Sequence, residues 1–216
     1  MTSLADLDGG ALRELVRARL KPELSADAFA PHAAPRVSDF PLNGAPPAAE
    51  TLAAARPAAV LAPIVARETG LSVLLTLRSS HLRSHSGQVA FPGGKIDPGE
   101  TPAETAFREA EEEIGLEREY IEPLGWLDPY LTGTGFRVAP LVALVRPGFT
   151  LKVNADEVAD VFETPFAFLM DPANHELHER EWSGVKRKYY AMPHEGRYIW
   201  GATAGILRNL YERLFC

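Results

Sequence analysis

The chain has 216 residues, of which 46% are hydrophobic, 24% charged and 9% aromatic. That profile excludes intrinsic disorder over most of its length and fits one large domain, or one domain with a decorated terminus. Its 29 acidic residues outnumber 22 basic ones, for a net charge of −7. A general nucleic-acid binder is thereby excluded, because it needs a basic face to release counterions; a polyanionic small substrate is not, because bound metal ions reverse the local charge. The single cysteine, Cys216, allows no internal disulfide and suits a reducing compartment. Met1 to Asp8 is acidic with no long apolar run after it, so no secretory signal is expected. No stretch approaches the roughly 18 apolar residues of a membrane span. The expectation is a cytoplasmic protein, monomer or homodimer, with a small-molecule substrate and neither nucleic acid nor membrane as partner.

In chain order, Leu12, Leu15, Val16 and Leu20 recur at helical spacing and predict a short amphipathic helix over residues 10–20. Residues 22–57 carry Pro22, Pro31, Pro35, Pro41, Pro46, Pro47 and Pro57, a density expected to prevent regular structure. Residues 1–57 therefore read as a helix plus a Pro/Ala-rich arm, and 58–216 as the main domain. Ala58 to Ala66 and Leu71 to Leu77, separated by Glu68-Thr69-Gly70, predict a hairpin of buried strands. A long loop and a helix from Thr101 follow. Further strands are expected at Pro123 to Leu127, Phe136 to Val145, Lys186 to Met192 and Arg197 to Trp200, with a short helix over Thr164 to Leu169 and a last one from Ala202 to Leu214. Strands and helices mix without regular alternation, which indicates an α+β fold, an α/β/α sandwich around a mixed sheet.

The helix from Thr101 carries the chemistry. Thr101-Pro102-Ala103-Glu104 fits a capping box, and Gly115 is a natural stop. Ala103, Phe107, Ala110 and Ile114 form an apolar stripe, with Glu109, Glu112 and Glu113 at i, i+3 and i+4 beside it. Three like charges in one sector repel by a few tenths of a kcal/mol per pair, a cost that a hard divalent cation offsets. Taken alone, such a run is more often a solvated acidic face; Glu104 and Glu111 point elsewhere and are expected in solvent.

The spacing Gly94-x5-Glu100-x7-Arg108-Glu109-Ala110-Glu111-Glu112-Glu113-Ile114-Gly115-Leu116 resembles the Nudix box, matching all of its fixed letters and departing only at Ala110, where a bulkier aliphatic is usual. The resemblance implies a Nudix-type mixed sheet packed between helices. It also implies Mg²⁺ or Mn²⁺ held by Glu109, Glu112 and Glu113, with the Gly93 carbonyl as a further ligand and Arg108 orienting Glu100 or Glu109. The general base lies either in the box or on a distant loop, where Glu157 is the candidate; a solvated loop acid is an equal reading of Glu157. Upstream, Leu74-Leu75-Thr76-x-Arg78-Ser79-x3-Arg83-x3-Gly87-x3-Phe91-Pro92-Gly93-Gly94 is similar to a second signature, that of the coenzyme A-cleaving Nudix branch. It implies hydrolysis of the diphosphate of coenzyme A or its thioesters, with Arg78 and Arg83 as substrate cations and Gly93-Gly94 allowing close backbone approach. Trp200 to Leu207 also resembles that branch's last helix start. His81 and His85 read as loop packing rather than ligands. ADP-ribose, a dinucleotide polyphosphate, a damaged nucleoside triphosphate, or a non-catalytic nucleotide-binding module remain the alternatives.

Overall fold

The structure is a computed structural model that describes residues 4, 7–31, 33, 37–44, 46–80, 87–182 and 184–216. Its centre is strand β2 (Arg56–Arg67), parallel to β8 (Phe136–Val145) in unbroken register from Arg56↔Phe136 to Val65↔Val145. On the other side of β2 two strands follow one another. β3 (Gly70–Arg78) pairs with its far end through Ile64↔Val73, and β5 (Gly93–Lys95) pairs nearer its start through Ala59↔Gly94 and Val60↔Gly93. Beyond Val73, β3 leaves β2 and runs between β4 (Val89–Ala90) and β9 (Val158–Pro165). The Gly93-Gly94 step sits in this splay.

Side chains alternate across the sheet with period two. Ala59, Leu61 and Val65 share one face with Leu141, Ala143 and Val145, beneath helix α3 (Pro102–Ile114). Ala58, Ala62 and Ile64 share the other with Val138, Val142 and Leu144, in one core with helices α1 (Gly9–Arg19) and α5 (Ala202–Phe215). The result is the expected α/β/α layering. A smaller antiparallel sheet of β10 (Glu176–Trp182), β11 (Val185–His194) and β12 (Arg197–Trp200) roots in the same core through Met192 and Ile199, and β12 runs beside β4.

Three expectations need correction. The Pro-rich stretch is not without structure: its described part holds β1 (Val37–Ser38), a 3-10 turn at Pro41–Asn43 and helix α2 (Ala49–Ala54), and β2 begins inside it at Arg56. Pro41 falls at the first position of its turn, where a missing N–H costs little. β1 lies parallel to β7 (Tyr130–Leu131), and the Tyr130 hydroxyl donates to Asp39 at 2.5 Å. The short helix α4 starts only at Phe166, because Thr164 and Pro165 complete β9 against β3. β10, unforeseen, carries charges on both faces and is held by its partner strand, not by an apolar pattern. α1 is where the spacing put it, capped by the Asp8 carboxylate, which accepts from Ala11 N at 2.8 Å; Arg13 clamps it to Glu122 on β6 (Ile121–Trp126) at 2.8 and 2.7 Å. Among the described residues no helix is long and apolar enough to cross a membrane.

Candidate active site

Both ends of α3 are fixed by local chemistry. The Thr101 hydroxyl accepts from Glu104 N at 3.3 Å, and the Glu104 carboxylate accepts from Thr101 N at 2.8 Å, the reciprocal capping box. Such a cap stabilises a helix by about 1 kcal/mol. At the other end Gly115 turns into the left-handed region at φ 68°, and its N–H reaches the Ala110 and Glu111 carbonyls. The turn leaves no room for a side chain, because a Cβ there would stand 2.8 Å from Lys152 N.

The buried stripe of α3 differs from the simple apolar one. It runs through Ala106, Ala110 and Ile114 and includes Glu113, only 2% exposed. Ala103 and Phe107 lie at its margin, with the Arg118 guanidinium 4.0 Å above the Phe107 ring. A carboxylate is thus sunk beside the core, against the Gly93 turn. Its Oε2 accepts from Gly93 N at 3.3 Å, and its Oε1 is 3.5 Å from Arg78 Nη1. Burial pushes the Glu113 carboxyl up to about 8; Arg78 and the Gly93 N–H oppose this, while the charges of Glu109 and Glu157 add to it. Glu109 is also pushed above the usual carboxylate range, chiefly by burial and further by Glu112 and Glu157, with Arg108 pulling the other way.

Arg108 is the hub of the exposed half. Its Nε and Nη2 donate to the two Glu100 oxygens at 2.7 and 3.0 Å, a bidentate pair, while Nη1 reaches Glu109 and Glu112, each at 2.9 Å. Glu100 also accepts from Thr105 Oγ1 at 2.7 Å; these bonds, Arg108's foremost, hold its carboxyl down at about 2. Glu100 therefore stays ionised and committed to Arg108. The orienting role expected of Arg108 reaches Glu100, Glu109 and Glu112 together.

Gly93 and Gly94 are close-approach positions. A Cβ on Gly93 would stand 2.5 Å from the Ala59 carbonyl, and one on Gly94 would stand 2.2 Å from Glu109 Oε1. Glycine is needed at both for want of space. Glu157, distant in sequence, is brought within electrostatic range of both Glu109 and Glu113. Its loop is tied to α3 by Lys152 N to the Ile114 carbonyl and Asn154 N to the Glu113 carbonyl, both 2.9 Å, and its own carbonyl accepts from Ser79 N at 2.9 Å. Asn154 and Thr105 escaped the sequence reading. Thr105 falls at no motif position, and nothing local marks Asn154 as the anchor of that loop. Arg83, His81 and His85 lie outside the described residues.

Glu109, Glu112, Glu113 and Glu157 offer only carboxylate oxygens, the donor type hard divalent ions take. Two of them are held above their ordinary pKa beside like charges, which is the electrostatic condition a cation relieves. The residues fit Mg²⁺ or Mn²⁺ in chemistry, although among the described residues no three acidic, histidine or cysteine side chains converge in ligating geometry, with Arg108 on Glu109 and Glu112. An apolar hollow of about 470 Å³, lined by Leu20, Phe107, Leu124 and Trp126, adjoins another face of α3 and contains none of these carboxylates.

A family model described as "NUDIX domain" matches residues 55–190. NudL of Yersinia enterocolitica, named an uncharacterized Nudix hydrolase, is 43% identical over 158 residues, 73% of this chain and 80% of that protein. NudL of Yersinia pestis, with the same description, is 39% identical over 160 residues, 74% of this chain and 80% of that one. Among solved structures, the NUDIX domain of Shewanella oneidensis NrtR complexed with ADP ribose is 20% identical, covers 74% of this chain and 89% of its own, and gives a TM-score of 0.48. DR0079 from Deinococcus radiodurans is 18% identical over 72% of this chain and 83% of its own, at 0.49. Those two structural likenesses bear on no substrate. By its family match over residues 55–190 and its 43% identity to a Nudix hydrolase, the chain belongs to the Nudix hydrolase family, enzymes that cut a diphosphate-containing substrate.

Proposed function

We propose that this hydrolase cuts the diphosphate of coenzyme A or its thioesters, releasing adenosine 3′,5′-bisphosphate and 4′-phosphopantetheine or its acyl form. The observation that supports it most is the meeting of Arg78 with Glu113 at 3.5 Å. Arg78 belongs to the upstream signature and Glu113 to the box, so the two motifs form one site. Arg78 Nε is buried and has no partner among the described residues, so its guanidinium is not fully committed to Glu113.

In this reading Glu109, Glu112 and Glu113, with the Gly93 carbonyl, would hold the divalent ion. When bound, Mg²⁺ or Mn²⁺ would neutralise phosphate charge and acidify a water. Arg108 keeps Glu109 and Glu112 in place while Glu100 fixes Arg108. Arg78 and Arg83 orient the diphosphate by charge-assisted hydrogen bonds. Glu157 takes a proton from the attacking water as its oxygen joins phosphorus and the anhydride P–O bond breaks. The closeness of Glu157 to Glu109 and Glu113 favours it as base over a solvated loop acid.

The test is product analysis after incubating the protein and Mg²⁺, then Mn²⁺, with coenzyme A, ADP-ribose and a nucleoside triphosphate side by side. Adenosine 3′,5′-bisphosphate formed far faster than the other products is the expected result. Cleavage confined to another substrate would discard the coenzyme A assignment.

A further inference from the structure

The smaller sheet has two faces of different character. On one, the pairs directly opposite across β10 and β11 are oppositely charged, Glu179↔Lys188 and Glu181↔Lys186. On the other, Arg180 stands opposite Arg187. Like charges at such a pair repel, and here both residues are exposed. That second face continues into His178, Tyr189, Tyr198 and Trp200, since Tyr189 pairs with His178 and Trp200 with Ala191.

The aromatic part is held still. His178 Nδ1 is 2.7 Å from the Tyr198 hydroxyl and His178 Nε2 is 2.6 Å from Glu176, while the Tyr189 hydroxyl is 3.2 Å from that of Tyr198. With its hydroxyl pinned, Tyr198 still exposes 38% of its surface, and its ring lies at 31° to that of Trp200, 6.3 Å between centres. Arg180 lies two residues along β10 from His178, whose Nδ1 meets the Tyr198 hydroxyl, so the cation and that ring share one face. Arg187 Nη1 lies beside Gly133 in the turn that leads into β8, and its charge is felt by Asp39, whose carboxylate accepts from Tyr130. The face adjoins the catalytic segment, since β12 runs beside β4, three residues before Gly93.

We propose that this face is a substrate subsite for a purine ring carrying a phosphate monoester. Tyr198 and Trp200 take the base by stacking, and Arg180 with Arg187 takes the phosphate. Stacking on aromatic side chains is the general means of holding a base without reading its edges, and two arginines on one surface match the double charge of a monoester. The inference rests on the coenzyme A reading, in which that monoester is the 3′-phosphate, and assigns it to Arg180 on β10 and Arg187 on β11, with Arg83 left to the diphosphate.

The test measures binding apart from turnover. Adenosine 3′,5′-bisphosphate and adenosine 5′-monophosphate are titrated into the full chain by calorimetry and tryptophan fluorescence. The variants are Arg180→Gln/Arg187→Gln, Tyr198→Ala, Trp200→Phe and Arg83→Gln. The double arginine variant should weaken the bisphosphate at least tenfold relative to the monophosphate. Tyr198→Ala should weaken both alike, and Trp200→Phe should remove most of the fluorescence change. In steady state the double variant should raise KM for coenzyme A about tenfold relative to 3′-dephospho-coenzyme A. Wild-type-like discrimination in the double variant, its loss only in Arg83→Gln, or no bisphosphate binding by the wild type would each overturn the subsite. Coenzyme A cleavage with an unaltered double variant would sink the subsite alone. Phosphate-selective binding without coenzyme A cleavage would sink the proposed function alone.

Discussion

Glu113→Gln isolates the electrostatic strain of the site from its chemistry. In the metal-free protein the Glu113 carboxyl ionises at about 8 against an ordinary 4.5, mainly because it is buried. The folded chain therefore holds a proton that the unfolded chain has released at every pH between those values. Stability conferred by the neutral form is present below 4.5 and is lost as pH rises through 8, where the buried group must ionise. Each pH unit inside the window removes about 1.4 kcal/mol, so the loss between pH 5 and 8 amounts to a few kcal/mol. At about 2–4 °C per kcal/mol for a chain of this size, the midpoint should fall by on the order of 10 °C. The assay is thermal unfolding in EDTA from pH 5 to 8.5, on wild type and Glu113→Gln. Glutamine is nearly isosteric and never ionises, so its profile should be flatter and its midpoint higher at pH 8. Saturating Mn²⁺ should raise the wild type at pH 8 and leave the variant nearly unmoved. Parallel pH profiles for the two proteins in EDTA would refute the reasoning.

Other outcomes follow from the same geometry. Glu112→Gln should abolish turnover with the unfolding midpoint kept within a few degrees, since that side chain is 56% exposed; full activity would sink its role as a metal ligand. Arg108→Lys cannot keep the bidentate hold on Glu100 together with the contacts to Glu109 and Glu112. It should cost about 10–100-fold in metal affinity or kcat, and titration of Mn²⁺ by its EPR signal checks the first. Gly93→Ala and Gly94→Ala should separate fold from site. The first drives a methyl into the Ala59 carbonyl, a backbone atom, and should lower the midpoint sharply; the second meets only the end of Glu109 and should remove activity with a smaller loss of stability. Thr101→Ala should cost about 1 kcal/mol by denaturant titration, with little change in KM.

What could be read from the chain depended on how locally each feature is encoded. The bounds of α3 were legible to the residue, because capping box and glycine stop are both decided within one helix. Those of β8 were too, while β2 and β3 were legible as elements, each running one or two residues beyond its apolar run. β1 exists only because Val37 and Ser38 meet Tyr130 and Leu131 of β7, which itself pairs with β8, and no local pattern announces either pairing. β10 has a mixed charge pattern that reads as loop until β11 is laid beside it. In the site, the box placed Glu109, Glu112 and Glu113 on one sector. It could not show that Glu113 is buried within the stripe, since that depends on β5 reaching β2. The approach of Glu157 likewise depends on Asn154 tying its loop to the Glu113 carbonyl.

The pairing of β1 with β7 also bears on how the protein behaves outside its native state. β7 is a two-residue strand at the rim of the large sheet, and β1 occupies its outward hydrogen-bonding edge. Exposed edges recruit strands from other molecules, so the arm acts as a guard against self-association. The same core takes in Leu12 and Val16 from α1 with Leu207 and Leu210 from α5, all outside the residues 55–190 that the family model spans. A chain trimmed to that span would uncover both the edge and the apolar floor beneath α1. Its expected fate is aggregation on expression, and solubility measured across a series of N-terminal truncations should drop between residues 9 and 40, well before Gly93 is reached.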